Sequence, residues 1–185
     1  MFIDRLGWAL DPVDGEEIDQ FDREDTEYCA LERAGELLGC FRARRCDRPY
    51  LTKEIFGHLA TIAPLPINAS AWEITRFAMN PEQDASPGLL YAALFLFGAH
   101  RRARSLVALA DLTHERLLRR AGVASRRYGP PQIVGSARGR PLYAVVGEIP
   151  LWAEGPRFSV RHAELFKRLE LIDETSPQRP QTLSA

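Results

Sequence analysis

The stretch Ala71-Trp72-Glu73-Ile74-Thr75-Arg76-Phe77-Ala78-Met79 places an acid and a base inside a run whose other residues suit a buried strand. Trp72, Ile74, Thr75, Phe77 and Met79 are β-branched, aromatic or apolar, and Asn80-Pro81 closes the run, so the composition predicts a strand. Burying a lone carboxylate or guanidinium costs on the order of several kcal/mol, so Glu73 and Arg76 need partners, a solvated cleft, or both. Residues three apart point to opposite faces of a regular strand. The two can serve one site only if a bulge or splay re-aims one of them. On residue types alone, separate structural ion pairs at the two ends of the strand explain them equally well.

Upstream of this strand, Tyr28 to Glu32 and Leu37 to Arg42 read as a strand pair joined by a turn at Ala34-Gly35. Tyr50 to Leu59 fits a helix, with Thr52 as a possible cap, before Pro64-Leu65-Pro66 breaks the pattern. Downstream, a breaker-rich loop to Pro87 leads into a strongly apolar helix near Gly88 to Arg102, then a buried strand from Ser105 to Ala110. A helix from Thr113 to Ala121 ends at Gly122, a suitable residue just past a helix C-terminus. Gln132 to Gly135 and Pro141 to Ile149 are late strands with a loop at Ala137-Arg138-Gly139-Arg140, and a charged amphipathic helix is expected over Ser159 to Leu171. This order predicts an α/β protein with a single mixed sheet flanked by helices. Residues 1–172 form one domain in this reading, and 173–185 a polar, disordered tail.

A chain of 185 residues with 45% apolar content supports one core of ordinary size. A net charge of −1 argues against a general nucleic-acid binder, which needs a basic surplus. The distribution of charge says more than the sum. Acidic residues crowd the first third, among them Asp19, Asp22 and Asp25, which recur every three residues. Arginines crowd the middle, at Arg101, Arg102, Arg104, Arg116, Arg119, Arg120, Arg126 and Arg127. This polarity suits one cationic ligand and one anionic partner, and is also common on solvated surfaces. In a helix the three aspartates would share a face and repel, so the segment is either a solvated loop or the seat of a cation. The cysteines (Cys29, Cys40 and Cys46) are odd in number and form no C-x-x-C pair, which argues against a disulfide framework or a zinc site and for a reducing cytosol. No leader pattern or membrane-length apolar run is present, so a soluble cytoplasmic protein is expected.

Taken in order, several short motifs resemble the N-acyl-homoserine lactone synthases, the bacterial autoinducer synthases. They are Leu6-Gly7-Trp8, Asp19-Gln20-Phe21-Asp22 with Asp25 and Tyr28, Gly39-Cys40-Phe41-Arg42, Arg48-Pro49-Tyr50-Leu51 with Phe56, and Trp72-Glu73-Ile74-Thr75-Arg76-Phe77. The resemblance is specific from Phe2 to about Val107 and more diffuse to Ile149. It implies a GNAT-like acyltransferase fold whose central strands splay around a cleft for an acyl chain. It also implies S-adenosylmethionine and an acyl thioester as substrates, the thioester carried by acyl carrier protein or CoA, with 5′-methylthioadenosine released. No separate cofactor or metal is implied.

Set against that chemistry, Asp19 and Asp22 form a cradle for a sulfonium and an ammonium, and Trp8 offers an aromatic face to a cation. Arg42 and Arg76 pin a carboxylate or close a network with the aspartates. Glu73, directly or through a water, is the candidate general base, and backbone amides of the splayed strands are candidate oxyanion donors. Phe56 and Phe77 are expected as walls, the cysteines as small apolar residues, and the arginines from Arg101 to Arg127 as a surface that steers an acidic carrier protein.

Two departures from the family pattern stand out. A helix that usually precedes the position of Phe2 is missing, so Met1 reads as an internal valine codon taken for a start. Arg42-Ala43-Arg44-Arg45-Cys46 replaces the usual leucines and proline, leaving local geometry after Arg42 open. Two other readings compete: an acetyl-CoA-dependent GNAT enzyme, for which Asp84-Ala85-Ser86-Pro87-Gly88 is a poor glycine-rich phosphate loop, and a non-catalytic binding relative.

Overall fold

Ala34 and Gly35 both take positive φ, 52° and 81°, the conformation of a two-residue hairpin turn whose twist matches its strands. They join strand β1, Glu27–Arg33, to β2, Glu36–Arg45, in the computed structural model, which describes residues 18–137 and 139–175. Helix α1, Leu51–Phe56, runs into a single 3-10 turn at Gly57–Leu59, and the central strand β3 spans Ala71–Met79. Then follow α2 (Pro87–His100), β4 (Ser105–Asp111), α3 (Leu112–Arg120) and the short β5 (Arg126–Arg127). Strands β6, Gln132–Ala137, and β7, Arg140–Pro150, lead to helices α4, Leu151–Arg161, and α5, Ala163–Phe166.

Among the described residues the strands form one seven-stranded sheet in the order β1-β2-β3-β4-β7-β5, with β6 also paired to β7. Among the described residues only the pairing of β3 with β4 is parallel, so the expected single mixed sheet flanked by helices is present. Alternation along β3 sorts its side chains. Trp72 and Ile74 enter the main core with α2, and Ala71 joins Cys46, Tyr50 and Val107 on the other face, beneath α1. Helix α2 is apolar almost all round because it is sandwiched between the sheet and helices α4 and α5. Leu90, Ala92, Leu94, Phe95 and Phe97 are all buried, and Phe95 stacks on Phe158 of α4 at 4.2 Å. Burial of each leucine or phenylalanine among them stabilises the fold by about 1.5–3 kcal/mol.

The architecture turns on a fork. Strands β3 and β4 pair only from Ala71 to Glu73 against Ser105 to Val107. Beyond that point β3 stays with β2 and β4 stays with β7, so the two diverge and leave their facing backbone edges unpaired with each other. Farther along the sheet, β5 crosses close to β7 at Gly147, where an added Cβ would lie 2.8 Å from the Arg126 carbonyl oxygen.

The last helical region differs from expectation. It begins at Leu151, directly after β7, breaks at His162 and ends at Phe166, whereas the residue pattern places it over Ser159 to Leu171. Burial of Leu151, Glu154 and Phe158 on one face outweighs the cost of Pro156 inside the helix. Thr52 is not the cap of α1 either. It lies inside the first turn and is fully buried. Asp173 and Thr175, read from sequence as part of the tail, lie against the end of α2, where Arg101 donates to both. The features read at residues 1–17, Trp8 included, and in 176–185 lie outside the described residues.

Candidate functional site

Arg42 leaves β2 opposite Thr75 of β3 and is almost completely buried. Its Nε donates to the Thr75 hydroxyl at 2.8 Å, and its Nη1 to Asp19 Oδ1 at 2.8 Å and Asp22 Oδ1 at 2.7 Å. Arg76 reaches the same two aspartates through Nη2, at 3.3 Å and 2.8 Å, and the Tyr28 hydroxyl donates to Asp22. Two guanidiniums thus face two carboxylates, and the charges balance. Burial opposes the charge on Arg42, but the two aspartates outweigh it and hold its pKa above the ordinary value.

A bulge delivers Arg76 to this cluster. Between the pairs Cys40 with Ala78 and Arg42 with Thr75, β2 advances two residues while β3 advances three. Arg76 takes up the extra residue at a φ of 52°, a left-handed conformation that costs a non-glycine residue about 1–2 kcal/mol. The reversal turns its side chain toward Arg42. The facing problem posed by Glu73 and Arg76 is resolved by this one backbone reversal.

The aspartates are presented by a turn, not by a helix. Asp19 Oδ1 accepts from the Phe21 amide, Asp22 Oδ2 accepts from the Asp19 amide, and buried Phe21 anchors the loop. The cation that their spacing anticipates is arginine: Asp19 and Asp22 meet Arg42 and Arg76, and Asp25 meets Arg44. Arg44 is the residue that sequence reasoning missed. Its Nε donates to the Pro49 carbonyl at 2.7 Å and its Nη1 to Asp25 and to the Thr26 hydroxyl. The available signal was Arg42 and Arg44 two apart on one strand face, opposite a run of aspartates.

Glu73 sits at the apex of the fork, paired with Val107, and is 1% exposed. Its Oε2 accepts from the Leu51 amide at 3.1 Å and its Oε1 from the Thr52 amide at 2.6 Å, so it caps α1 from a distance. Burial raises its pKa above the usual carboxylate range, against the opposing pull of these amides and of Arg42. Among the described residues no hydrogen bond or ion pair joins Glu73 to Arg76. Both charges occupy one face of the sheet in adjacent niches.

A cavity of about 680 Å³ passes through the fork. On one face it is lined by Leu51, Ile55 and Phe56 of α1 and by the Asp19, Arg42 and Arg76 cluster. On the other it reaches Tyr91 and Leu94 of α2 and His114 and Leu118 of α3. The expected walls Phe56 and Phe77 both line it, Phe77 packing at a tilt against Tyr91 with ring centroids 4.9 Å apart and lying edge-to-face with His114 at 6.2 Å. Glu73 stands behind the wall and does not line the cavity. His114, unforeseen from sequence, is held by Asp111, which also caps α3 through the Thr113 and His114 amides. Burial pushes the Cys29 thiol up to about 12 and raises those of Cys40 and Cys46, which favours the neutral thiol in all three. Of the arginine group, Arg101 is occupied by Glu27 and Asp173, and Arg127 by Glu115. Arg116, Arg119 and Arg120 of α3 form no ion pair with another described residue.

A family model for autoinducer synthases matches residues 1–140. An acyl-homoserine-lactone synthase of Acinetobacter nosocomialis is 36% identical over 146 residues, which cover 72% of this chain and 80% of that protein. Among solved structures, TofI in a ternary complex with an inhibitor and MTA is 34% identical. It superposes with a TM-score of 0.73 over 89% of this chain and 85% of its own. BjaI, a CoA-dependent acyl-homoserine lactone synthase solved with SAM and isopentyl-CoA, is 21% identical with a TM-score of 0.79 over 89% of this chain and 76% of its own, a likeness of fold. No helix among the described residues is long and apolar enough to cross a membrane. Identity above one third across most of both chains, together with the family match over the segment that builds the fork, establishes that this chain belongs to the autoinducer synthase family.

Proposed function

We infer that this protein transfers the acyl group of a thioester to the amine of S-adenosylmethionine and so makes an N-acyl-homoserine lactone. The observation that carries the reading is the cavity through the fork, which joins a charge-balanced polar cluster to an apolar chamber at the point where two strands part. In the first step the amine nitrogen attacks the thioester carbonyl, the C–N bond forms, and the thiol departs with the proton the amine gives up. In the second, the methionine carboxylate oxygen closes on the carbon attached to the sulfonium. The C–S bond breaks, and 5′-methylthioadenosine leaves as a neutral thioether. The TofI complex holds MTA beside an inhibitor, and the BjaI complex holds SAM beside isopentyl-CoA.

Asp19 and Asp22 would hold the cationic end of S-adenosylmethionine, and Arg42 and Arg76 would position those carboxylates and pin the methionine carboxylate. Trp8 is proposed as the aromatic face beside the sulfonium. Unpaired amides along the diverging edges of β3 and β4 are the oxyanion donors. Glu73 is proposed as the base, acting through a water. Its two amide partners use only half of the lone-pair sites of a carboxylate, and its raised pKa suits a proton acceptor. The acyl donor is a carrier protein or CoA. Arg116, Arg119 and Arg120 next to the cavity wall would attract the acidic carrier. A cytoplasmic setting, where both substrates are made, completes the reading. The acetyl-CoA and non-catalytic readings have no comparable site observation in their favour.

The test is mass spectrometry of the chain incubated with S-adenosylmethionine and a panel of acyl-carrier-protein and acyl-CoA donors. Acyl-homoserine lactone and 5′-methylthioadenosine in equal amounts are expected, and their absence with every donor would overturn the reading. Glu73→Gln should lower kcat about a hundredfold and remove the acidic limb of the pH profile. A loss of melting temperature with kcat and pH profile intact would instead make Glu73 only the anchor of α1.

A further inference from the structure

The far wall of the cavity carries a charged feature for which acyl transfer has no use. Arg127 of β5 meets Glu115 of α3 at two points, Nε to Oε1 at 2.7 Å and Nη2 to Oε2 at 2.6 Å, and both residues line the cavity. The neighbouring wall is aliphatic at Leu94, Leu106, Leu118 and Ile149, and polar at Ser125, Arg126 and Glu148 beside Arg127. An apolar ligand gains nothing from a charged wall, and ions facing only hydrocarbon lose hydration. The Arg127 side chain is 42% exposed and that of Glu115 21%, so the pair stands where the chamber meets solvent. Its two-point geometry fixes both side chains in a way that a single contact would not.

We propose that the Arg127–Glu115 pair is the end stop of the acyl chamber and sets the longest acyl chain this enzyme accepts. The proposal rests on the acyl-transfer reading. The thioester carbonyl must lie at the fork between β3 and β4, where the amine can meet it, while Arg127 lies on β5, beyond β4 and β7. Strands lie about 4.8 Å apart, so two and a half spacings separate the fork from the pair, roughly 12 Å. An extended chain advances roughly 1.2 Å per bond, as in an extended backbone. About ten carbons therefore bridge the distance. Shorter chains are covered completely, and longer ones meet a closed ion pair. Glu115 approaches from α3, whose Leu117 and Leu118 pack into the α2 core, so the stop closes the chamber on the α2 side.

The experiment compares octanoyl and tetradecanoyl donors by kcat/KM in the native chain, Arg127→Ala, Glu115→Ala and the charge-swapped double variant Glu115→Arg/Arg127→Glu. The native chain should favour octanoyl at least tenfold. Each single variant should cut that preference by about tenfold, the swapped pair should restore it, and melting curves should show that all four are folded. A preference that is absent in the native chain, or is unmoved by either single variant, would overturn the end stop. In parallel, N-acyl-homoserine lactones of increasing chain length are titrated as ligands, read by thermal shift. This arm needs no turnover, so a native chain that makes no product refutes the acyl-transfer reading, while the break in binding beyond about ten carbons, present or absent, still decides the stop.

Discussion

Arg42 and Arg44 leave the same strand two residues apart, both are almost completely buried, and both are answered by aspartates of the loop before β1, Arg42 by its first turn and Arg44 by its second. Only Arg42 lines the cavity. Arg42 shares its carboxylates with a second arginine, delivered by a strained bulge, and one of those carboxylates, Asp19, lines the cavity. Arg44 spends its donors on the Pro49 carbonyl, the Thr26 hydroxyl and Asp25, which fixes the turn and the entry to α1. A buried guanidinium is therefore no sign of function in itself. What separates the two is whether their partners still face space that a substrate can fill.

Removing the second arginine has the largest expected effect. Arg76→Met should reduce kcat/KM by about a hundredfold to a thousandfold, which is about 2.7–4.1 kcal/mol of transition-state stabilisation, while leaving the melting temperature close to that of the native chain. The cluster would then hold two carboxylates against one guanidinium, wrongly charged for the methionine carboxylate but still anchored through Arg42. Steady-state kinetics with a calorimetric melt decides it. A variant that unfolds with undiminished turnover per folded molecule would make Arg76 a strut like Arg44.

How much of this was legible in the sequence varies by residue. The strand at Ala71 to Met79, the hairpin at Ala34-Gly35 and the apolar α2 follow from residue types, since propensity, turn chemistry and burial agree there. The conflict between Glu73 and Arg76 was visible as a conflict. Its resolution was not, because a bulge with arginine at positive φ is selected by surrounding contacts and carries no local signature. The aspartate spacing pointed to a cation but could not name one on the same chain. Glu73 as the remote cap of α1 depends on a contact across 22 positions, and the late helix depends on tertiary burial overriding Pro156. The Glu115–Arg127 pair was hidden because its arginine looked like one of many on a basic surface.

Arg44 supplies the counterpart. Arg44→Met should cost about 2 kcal/mol of stability, because the Pro49 carbonyl loses its partner while Asp25, which is 47% exposed, regains water. Turnover per folded molecule at a temperature well below the melt should be retained. Denaturant titration gives the first quantity and active-site-normalised kinetics the second. A hundredfold loss of kcat in this variant would erase the distinction between the two arginines.

The smallest effect concerns the acid limb of stability. Burial alone would raise the Asp22 carboxyl, but the Tyr28 hydroxyl, the Asp19 amide and Arg42 outweigh it and hold it below its ordinary value of 3.8. A carboxylate depressed in the folded state contributes stability that is complete above the unfolded value and is lost as pH falls through the folded one. Asp22→Asn should therefore cost a constant amount above pH 3.8, on the order of 1 kcal/mol, and the gap from the native chain should close as pH falls further. Glu73 has the opposite sign. Its raised pKa means that the folded chain keeps a proton the unfolded chain has lost, so its contribution weakens as pH rises above the ordinary value of 4.5. Comparing urea midpoints of Asp22→Asn and Glu73→Gln across this range sets one residue against the other. Parallel curves would mean that the polar cluster and the apex of the fork do not differ electrostatically, whereas curves of opposite slope would identify Asp22 as the ionised partner of the arginines and Glu73 as the acid that burial holds back.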